Sequence, residues 1–283
     1  MSAKTLWADE EYQGIVRTGF RMKRRLFKGK SRFQSVEVVE TKGHGRLLLI
    51  DGMTMVSDRD EFVYHEMIAH VPLFLHPKPR CVLVIGGGDG GSVREVLRHK
   101  SVERCVLVEI DGLVVEASRK YIPLTAARLS DRRAVVRIED GVKFVRETDE
   151  RFDVVIVDST EPFGPAKELF GTAFYKNVKR ILTKDGIVVS QAGSPFYEIA
   201  TIKNLDRILK PIFPVTDAYL FTNLTYPGGL WAFTFASKGL RPVKDFRPAR
   251  VKAARMPLRW YNADVHSGSF ALPSFVRKAL GRV

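Results

Sequence analysis

Five acidic residues follow short apolar segments of this 283-residue chain, at the positions where strands of a parallel sheet would end. They are Asp89, Glu109, Asp140, Asp158 and Glu161. Because open α/β sheets bind ligands outside the carboxyl ends of their strands, we expect these carboxylates to share one cleft. A single carboxylate at the start of a helix is often only a cap, but five at one edge indicate a site for cationic ligands.

The glycine-rich segment that precedes the first helix of this pattern is the strongest local signal. Residues 84–91 have the sequence VIGGGDGG. Glycines allow positive φ angles and let a ligand approach the backbone closely, so Gly86 is a candidate ligand contact. Glu109, at the end of the next predicted strand, stands where an acidic residue accepts hydrogen bonds from ribose hydroxyls. Asp140 is placed to meet an adenine edge.

Dinucleotide binding is the main competing interpretation of this loop, and a tight turn that serves only packing is another. A dinucleotide places its pyrophosphate at the start of the helix, where the carboxylate of Asp89 would repel it. The loop therefore favours a ligand with a cationic end and no phosphate, such as a sulfonium of the S-adenosylmethionine type.

The alternation of apolar and helical segments predicts the scaffold that positions these residues. From about residue 80 onwards it predicts a parallel sheet with helices on both faces. Upstream, alternation over residues 35–38 and the turn Asp51-Gly52 predict a small antiparallel unit. We therefore expect an N-terminal β-domain over residues 1–71 and an α/β domain over residues 72–283. Strands are predicted at 82–85, 106–110, 134–138, 154–157, 187–189 and 230–236, and helices at 64–75, 92–98, 113–121, 142–147, 173–182 and 274–280.

The composition limits the classes of partner. The formal net charge is +14, from 46 Lys and Arg against 32 Asp and Glu, which raises the question of a nucleic-acid partner. The densest basic segment, residues 21–32, lacks a nucleic-acid-binding motif, so we prefer a solvated surface and expect no specific nucleic acid. No stretch suggests a membrane span or a signal peptide, so we expect a cytoplasmic protein. Cys81 and Cys105 predict neither a disulfide framework nor a zinc site, and their pairing stays open.

Longer motifs resemble the spermidine synthase family of polyamine aminopropyltransferases. The most specific are DRDEFVYHEMIAHVP from residue 58, IGGGDGGSVREVLRH from residue 85, EDGVKF from residue 139 and VDSTEPFGPAKELF from residue 157. SQAGSPFY from residue 190 and TYPGG from residue 225 agree with the same family. The resemblance covers nearly the whole chain, from about residue 7 to residue 280.

This resemblance implies a seven-stranded methyltransferase-like (Rossmann-like) domain behind a small antiparallel β-domain, and a homodimer or homotetramer. It also implies decarboxylated S-adenosylmethionine as co-substrate, with no prosthetic group and no metal. Asp89 would hold the ammonium of the aminopropyl arm, and Asp158 would be the catalytic base. The remaining donor contacts would be Gln34, Gly86, Glu109, Asp140, Gly141 and Pro165. The remaining amine contacts would be Tyr64, His65, Ser159, Glu161 and Tyr226.

The implied reaction is a displacement in which a neutral amine attacks the methylene beside a sulfonium and methylthioadenosine leaves. Asp158 would take the proton of the amine, and positioning would supply much of the acceleration. Two alternatives are an S-adenosylmethionine-dependent methyltransferase and a catalytically silent polyamine-binding protein. Asp89 opposes the first, because it would repel the carboxylate of intact S-adenosylmethionine. The presence of Asp158 opposes the second.

One position departs from the usual family pattern, Asp-Ser-x-Asp-Pro. This chain has Asp158-Ser159-Thr160-Glu161-Pro162, so the second acidic side chain is one methylene longer. Putrescine is expected as the acceptor because it is the commonest in the family. The longer side chain leaves agmatine, cadaverine, 1,3-diaminopropane and spermidine as alternatives.

Overall fold

The computed structural model describes residues 6–160 and 164–282, with the backbone alone for residues 164–166. Two sheets dominate this part of the chain, one of five strands and one of seven. This architecture confirms the predicted α/β class, with a Rossmann-like domain behind a small antiparallel β-unit. Helix α1, at Glu61–Leu75, crosses the domain boundary predicted between residues 71 and 72, and that boundary stays a prediction.

The N-terminal sheet is antiparallel throughout, and its strands neighbour one another in chain order. Its strands are β1 (Trp7–Tyr12), β2 (Val16–Lys30), β3 (Ser35–Thr41), β4 (Arg46–Ile50) and β5 (Met53–Ser57). The basic segment lies mainly on β2, beside acidic residues of β3. Lys23 and Arg24 pair with Glu40, and Arg25 pairs with Glu37. Two carboxylates of β3 therefore offset part of the local positive charge.

The seven-stranded sheet has the order β11-β12-β10-β9-β6-β7-β8. Its strands are β6 (Cys81–Gly86), β7 (Arg104–Glu109), β8 (Ala134–Ile138), β9 (Phe152–Asp158), β10 (Leu182–Gly193), β11 (Val215–Thr222) and β12 (Leu230–Ser237). Strands β6 to β10 are parallel as predicted, whereas β12 is antiparallel to β10 and to β11. The short connection over residues 223–229 makes β11 and β12 antiparallel neighbours, so the predicted parallel sheet is mixed at this edge.

Helices cover both faces of the larger sheet. They are α1 (Glu61–Leu75), α2 (Gly91–Val96), α3 (Gly112–Tyr121), α4 (Pro123–Ala126), α5 (Gly141–Glu147), α6 (Thr172–Ile181), α7 (Ile199–Leu209), α8 (Pro248–Ala254), α9 (Ala263–Ser269) and α10 (Ser274–Ala279). A 3₁₀ helix spans Gly164–Phe170. Across residues 6–160 and 164–282, no helix combines the length and apolar character that a membrane span requires.

Helix α1 begins three residues before its predicted start at Tyr64. Every residue of α1 except Phe62 is buried, and the helix packs against α2 and against β9, β10 and β11. Its first residue, Glu61, lies near the positive end of the helix dipole. Because Glu61 is charged, hydrophobic periodicity alone did not predict the start of the helix. Burial on nearly all sides places several charged side chains of α1 in the interior, where they require partners.

The two cysteines lie on neighbouring strands but point to opposite faces of the sheet. The β6–β7 register pairs Val82 with Cys105 and Cys81 with Arg104. Because side chains alternate along a strand, Cys81 faces away from the side occupied by its neighbour Val82. Cys105 lies in the core on one face, and Cys81 packs against the core on the other. Both thiols are free, and this geometry opposes a disulfide between them.

Candidate active site

The carboxyl ends of β6, β7 and β9 meet in a cleft where the strand order of the larger sheet reverses. The register pairs Gly86 with Asp158. A Cβ on Gly86 would lie 2.1 Å from the carbonyl oxygen of Asp158, and the φ of Gly86 is +78°. Only glycine meets both demands without strain. Gly86 therefore lets β6 and β9 place the Asp158 carboxylate beside the glycine loop.

Both carboxylate oxygens of Asp158 accept hydrogen bonds. The Tyr64 hydroxyl of α1 donates to Oδ1 at 2.7 Å, and the Ser92 hydroxyl of α2 donates to Oδ2 at 2.5 Å. Loss of solvation and the nearby carboxylate of Asp89 raise the pKa of Asp158, against the opposing effect of His65 and the two hydroxyls. An oriented carboxylate with a raised pKa is suited to accept a proton from an amine.

Asp89, Asp158 and His65 form a cluster in which one ligand atom from each lies within 4.8 Å of the others. A metal ion would require a neutral imidazole nitrogen as ligand. Both ring nitrogens of His65 face carboxylates instead, Nδ1 at 2.6 Å from Glu61 and Nε2 at 3.3 Å from Asp89. A ring that donates from both nitrogens carries a positive charge. The cluster therefore suits an organic ammonium group better than a metal ion.

Glu109 and Asp140 lie at another part of the cleft. Glu109 is buried and accepts a hydrogen bond from the backbone N–H of Asp111 at 2.9 Å. Burial raises the pKa of Glu109 to about 7, although that backbone contact lowers it. Asp140 caps helix α5 by accepting from the N–H of Val142 at 2.7 Å, so the cap interpretation holds for it. Asp140 nevertheless also lines the cleft.

The N-terminal β-unit contributes Gln34 to the same cleft. The Ser31 hydroxyl donates to Asp111 at 2.8 Å and so connects the loop before β3 to the start of α3. On the other side, Gly141 approaches Ile85 so closely that a Cβ would lie 2.5 Å from the Ile85 Cγ2. Gln34, Glu109, Asp140 and Gly141 thus line one end of the cleft, which we call the donor end.

Aromatic side chains line the part of the cleft beyond Asp158. The ring centroid of Tyr226 lies 5.9 Å from that of Tyr64 and 4.8 Å from that of Trp231. Glu10 and Gln191 line the cleft as well. Aromatic faces stabilise cations, and a carboxylate pairs with them, so this part of the cleft is suited to an alkylammonium chain.

Glu10 comes from β1, more than fifty residues before α1. It is buried and accepts a hydrogen bond from the backbone N–H of Thr54 at 3.1 Å. Burial raises the pKa of Glu10, and the contact with Thr54 lowers it. A buried carboxylate that faces a cleft is favourable when a cation binds beside it.

The structure brings the described members of the predicted site into one cleft. They are Gln34, Tyr64, His65, Gly86, Asp89, Glu109, Asp140, Gly141, Asp158, Ser159 and Tyr226. Glu161 lies outside the described residues, and so does the side chain of Pro165, whose backbone belongs to the 3₁₀ helix. The roles of all these residues stay predictions.

Sequence reasoning missed several residues that the tertiary structure adds. Ser92 was visible in the glycine motif but without an assigned partner, and Glu61 stands four positions before His65. Glu10 stands among other acidic residues of β1 and Trp231 among apolar residues of β12, so no local signal marks either one as a cleft residue. The added residues are Glu10, Glu61, Ser92, Arg94, Gln191 and Trp231.

Two family domains match this chain. Residues 61–246 match the spermine/spermidine synthase domain, and residues 6–58 match the spermidine synthase tetramerisation domain. The second match supports an oligomer. Together these matches span both sheets and the cleft between them.

Curated relatives and solved structures agree with these matches. The chain is 46% identical to the polyamine aminopropyltransferase of Thermotoga maritima, over 98% of this chain and 94% of that protein. It is 45% identical to the polyamine aminopropyltransferase of Caldicellulosiruptor saccharolyticus, over 99% of this chain and all of that protein. A crystal structure of a spermidine synthase with the transition state analogue AdoDATO superposes with a TM-score of 0.97, at 45% identity, and covers 100% of this chain and 97% of that one. The chain therefore belongs to the spermine/spermidine synthase family, and it is an aminopropyltransferase.

Proposed function

We propose that this enzyme transfers the aminopropyl group of decarboxylated S-adenosylmethionine to putrescine, which yields spermidine and methylthioadenosine. The observation that carries the proposal is the cluster of Asp89, Asp158 and His65 between the donor end of the cleft and the aromatic end. Asp89 would hold the ammonium of the donor and Asp158 would face the attacking nitrogen, and a carboxylate oxygen of each lies within 4.8 Å of the other.

The donor end is suited to a nucleoside with an aminopropyl sulfonium arm. Glu109 would accept hydrogen bonds from the ribose hydroxyls, and Asp140, Gly141 and Gln34 would surround the base. Asp89 would bind the ammonium of the arm. The same carboxylate would repel the carboxylate of intact S-adenosylmethionine, which favours the decarboxylated donor.

The chemical step needs a proton acceptor beside the attacking nitrogen. A nitrogen–carbon bond forms, the carbon–sulfur bond breaks, and the sulfur keeps the electron pair and becomes the neutral thioether of methylthioadenosine. The proton of the attacking amine passes to Asp158, whose raised pKa makes it a stronger base than an exposed carboxylate. Tyr64 and Ser92 hold that carboxylate in place.

The acceptor end supports a diamine. Tyr64, Tyr226 and Trp231 form aromatic walls, and Glu10 supplies a second carboxylate. A molecule with a cation at each end and a methylene chain between them matches this arrangement. Glu161, outside the described residues, is the position where the length of the diamine would be sensed.

A product assay with decarboxylated donor and a panel of amines tests the acceptor. We expect putrescine to give the highest kcat/KM, ahead of 1,3-diaminopropane, cadaverine, agmatine and spermidine. Because one methylene in a pocket changes binding by roughly 1–3 kcal/mol, a second diamine should react measurably. A higher kcat/KM with agmatine or spermidine would overturn the choice of putrescine.

Glu161→Asp provides the matched variant for this assay, since it restores the usual family residue and keeps the charge. We expect the variant to shift the ratio of activities toward putrescine. An unchanged ratio would show that Glu161 is a neutral replacement. Loss of activity with every amine in the variant alone would show that transfer requires the longer side chain.

We also propose that the enzyme assembles as a homotetramer through its N-terminal β-unit. Leu6, Trp7 and Ile15 of that unit are exposed apolar side chains in the segment that matches the tetramerisation domain. Analytical ultracentrifugation measures the mass directly, and Trp7→Glu together with Ile15→Glu should lower it. A wild-type enzyme with the mass of a dimer would overturn the proposed homotetramer. The predicted cytoplasmic location stays a prediction.

A further inference from the structure

The His65 ring lies between two carboxylates and against the start of α2. Its Nδ1 is 2.6 Å from Glu61, and its Nε2 is 3.3 Å from Asp89. A Cβ on Gly91 would lie 2.2 Å from the Cε1 of the ring. The ring therefore has no room to turn away, and its two nitrogens are committed to their two carboxylates.

Glu61 is itself held by an arginine of the neighbouring helix. Arg94 donates from both terminal nitrogens to the two oxygens of Glu61, at 3.0 Å and 2.8 Å. It also donates from Nε to Glu95 at 2.8 Å. Glu61 and Glu95 are buried, and the Arg94 side chain is largely so. The bidentate geometry determines which oxygen of Glu61 faces His65.

We infer that Glu61 and Arg94 are positioning residues that keep His65 in its charged imidazolium form beneath the reacting groups, with both ring N–H groups donating to carboxylates. Neither Glu61 nor Arg94 lines the cleft. They act through His65, and the inference rests on the proposed function only in assigning what the charged ring does for the reaction.

The first effect of the charged ring is on Asp89. The Oδ1 of Asp89 faces the Nε2 of His65 and also accepts from the N–H of Gly91 at 2.8 Å. These two contacts anchor Oδ1 and leave Oδ2 for the ammonium of a ligand. The ring thereby sets the orientation of the carboxylate that would select the decarboxylated donor.

The second effect is on Asp158. Two carboxylates within a few ångströms favour protonation of one of them, which would remove a base from the site. The positive charge of His65 lowers the pKa of Asp158 and so opposes the effect of Asp89. Asp158 therefore stays available as a carboxylate while the donor arm is held beside it.

The charged and titratable groups around His65 come from four elements. Glu61 and Tyr64 lie on its own helix, Asp89 lies in the loop before α2, and Asp158 lies at the end of β9. Arg94 of α2 reaches the ring only through Glu61. Burial lowers the pKa of His65, but Asp89 and Glu61 outweigh it and raise the pKa to about 10.

The charge on His65 is measurable in the ligand-free wild-type enzyme, without any assay of turnover. The chain has six histidines, so the ring ¹⁵N signals of His65 can be assigned with a His65→Asn variant. We expect both nitrogens to stay protonated from pH 6 to about pH 9. A neutral ring at pH 7 would overturn the inference, whichever amine the enzyme uses.

Glu61→Gln removes the charge of the carboxylate and keeps its size. We expect the pKa of the His65 ring to fall by about one pH unit or more in this variant, with Asp89 still facing the ring. Where the ring has lost its proton in the variant but not in the wild type, Asp158 lacks a neighbouring cation, so kcat/KM in that pH range should differ from the wild type by about tenfold. Arg94→Lys keeps the positive charge but loses the bidentate contact with Glu61. It should therefore change the His65 pKa and the kcat/KM profile less than Glu61→Gln does.

Glu66→Gln is the matched control. Glu66 is buried on the same helix beside His65, but its carboxylate accepts from backbone N–H groups of Arg259, Trp260 and Tyr261. It should lower the melting temperature and leave the His65 titration and the pH profile unchanged. Equal shifts in the two glutamine variants would show a merely structural role for Glu61 and overturn the inference.

Discussion

Two parts of the cleft hold their carboxylates in different ways: the donor end, and the cluster of Asp89, Asp158 and His65, which we call the reaction end because it borders the acceptor side. At the donor end, Glu109 is buried among backbone N–H groups, and within the described part of the chain no cationic side chain pairs with it. At the reaction end, Asp89 and Asp158 share the charge of His65. The donor end is therefore suited to neutral hydroxyl groups, which stabilise the ionised carboxylate of Glu109 by donating hydrogen bonds to it. The reaction end is prepared for cations that arrive and for a proton that leaves.

This contrast shows how one cleft keeps similar side chains in different states. Burial, together with the nearby carboxylates of Asp111 and Asp158, raises the pKa of Glu109 to about 7, whereas Asp158 has two hydroxyl donors and an imidazolium that oppose its burial. Environment, more than residue type, separates the two roles. The four tests below alter one end at a time.

The largest expected effect follows from Asp158→Asn. Loss of the base should lower kcat by roughly 10²–10⁴-fold, while the KM for the donor changes little. Steady-state kinetics with decarboxylated donor measures both constants. Asp140→Asn, at the other end, should mainly raise the donor KM. Near-normal turnover in Asp158→Asn would remove that residue from the mechanism.

Asp89→Asn tests the selection of the donor. The wild type should bind decarboxylated S-adenosylmethionine more tightly than the intact molecule, because the intact molecule sets a carboxylate against Asp89. The variant should narrow that difference by about tenfold or more, since like-charge contacts cost several kcal/mol. Calorimetry with both ligands measures it. Equal affinities in the wild type would contradict the assigned role of Asp89.

The affinity for methylthioadenosine should depend on pH through Glu109. Its pKa of about 7 means that the carboxylate, which accepts from ribose hydroxyls, forms as the pH rises through that value. Affinity should therefore increase from pH 5.5 to pH 8.5, by about tenfold for a one-unit shift of the pKa on binding. Glu109→Gln should bind more weakly and show no such slope. An affinity that falls as the pH rises from 5.5 to 8.5 would show that Glu109 binds the ligand in its protonated form, against the proposal.

The smallest effect concerns stability. The pKa of His65 is raised from 6.5 to about 10, so its contribution is fully present below pH 6.5 and is lost as the pH rises through about 10. The difference in unfolding free energy between wild type and His65→Asn should therefore shrink from pH 6 to pH 10. Glu40→Gln, which removes two surface ion pairs of the N-terminal sheet, should show little difference at either pH. A difference in unfolding free energy that increases with pH would contradict a charged His65.

Hydrophobic patterning predicted most of the elements, and the exceptions have physical causes. The strands from β6 to β10 are continuous apolar segments because both faces of the sheet are covered. Strand β11, at Val215–Thr222, was missed, since Asp217 and two threonines interrupt its apolar pattern. The start of α1 was missed because its first residue, Glu61, is charged although it is buried.

The sequence by itself determined the residue types at the strand ends, the glycine loop that joins β6 to α2, and the motifs that carry the family resemblance. These are local properties, because strand periodicity and glycine conformation depend on neighbours in the chain. The tertiary structure alone decided the pairings: Tyr64 with Asp158 across 94 positions, and Arg94 with Glu61 across 33. Such contacts arise from the packing of α1 against α2 and the sheet, so no local pattern encodes which buried charge meets which partner.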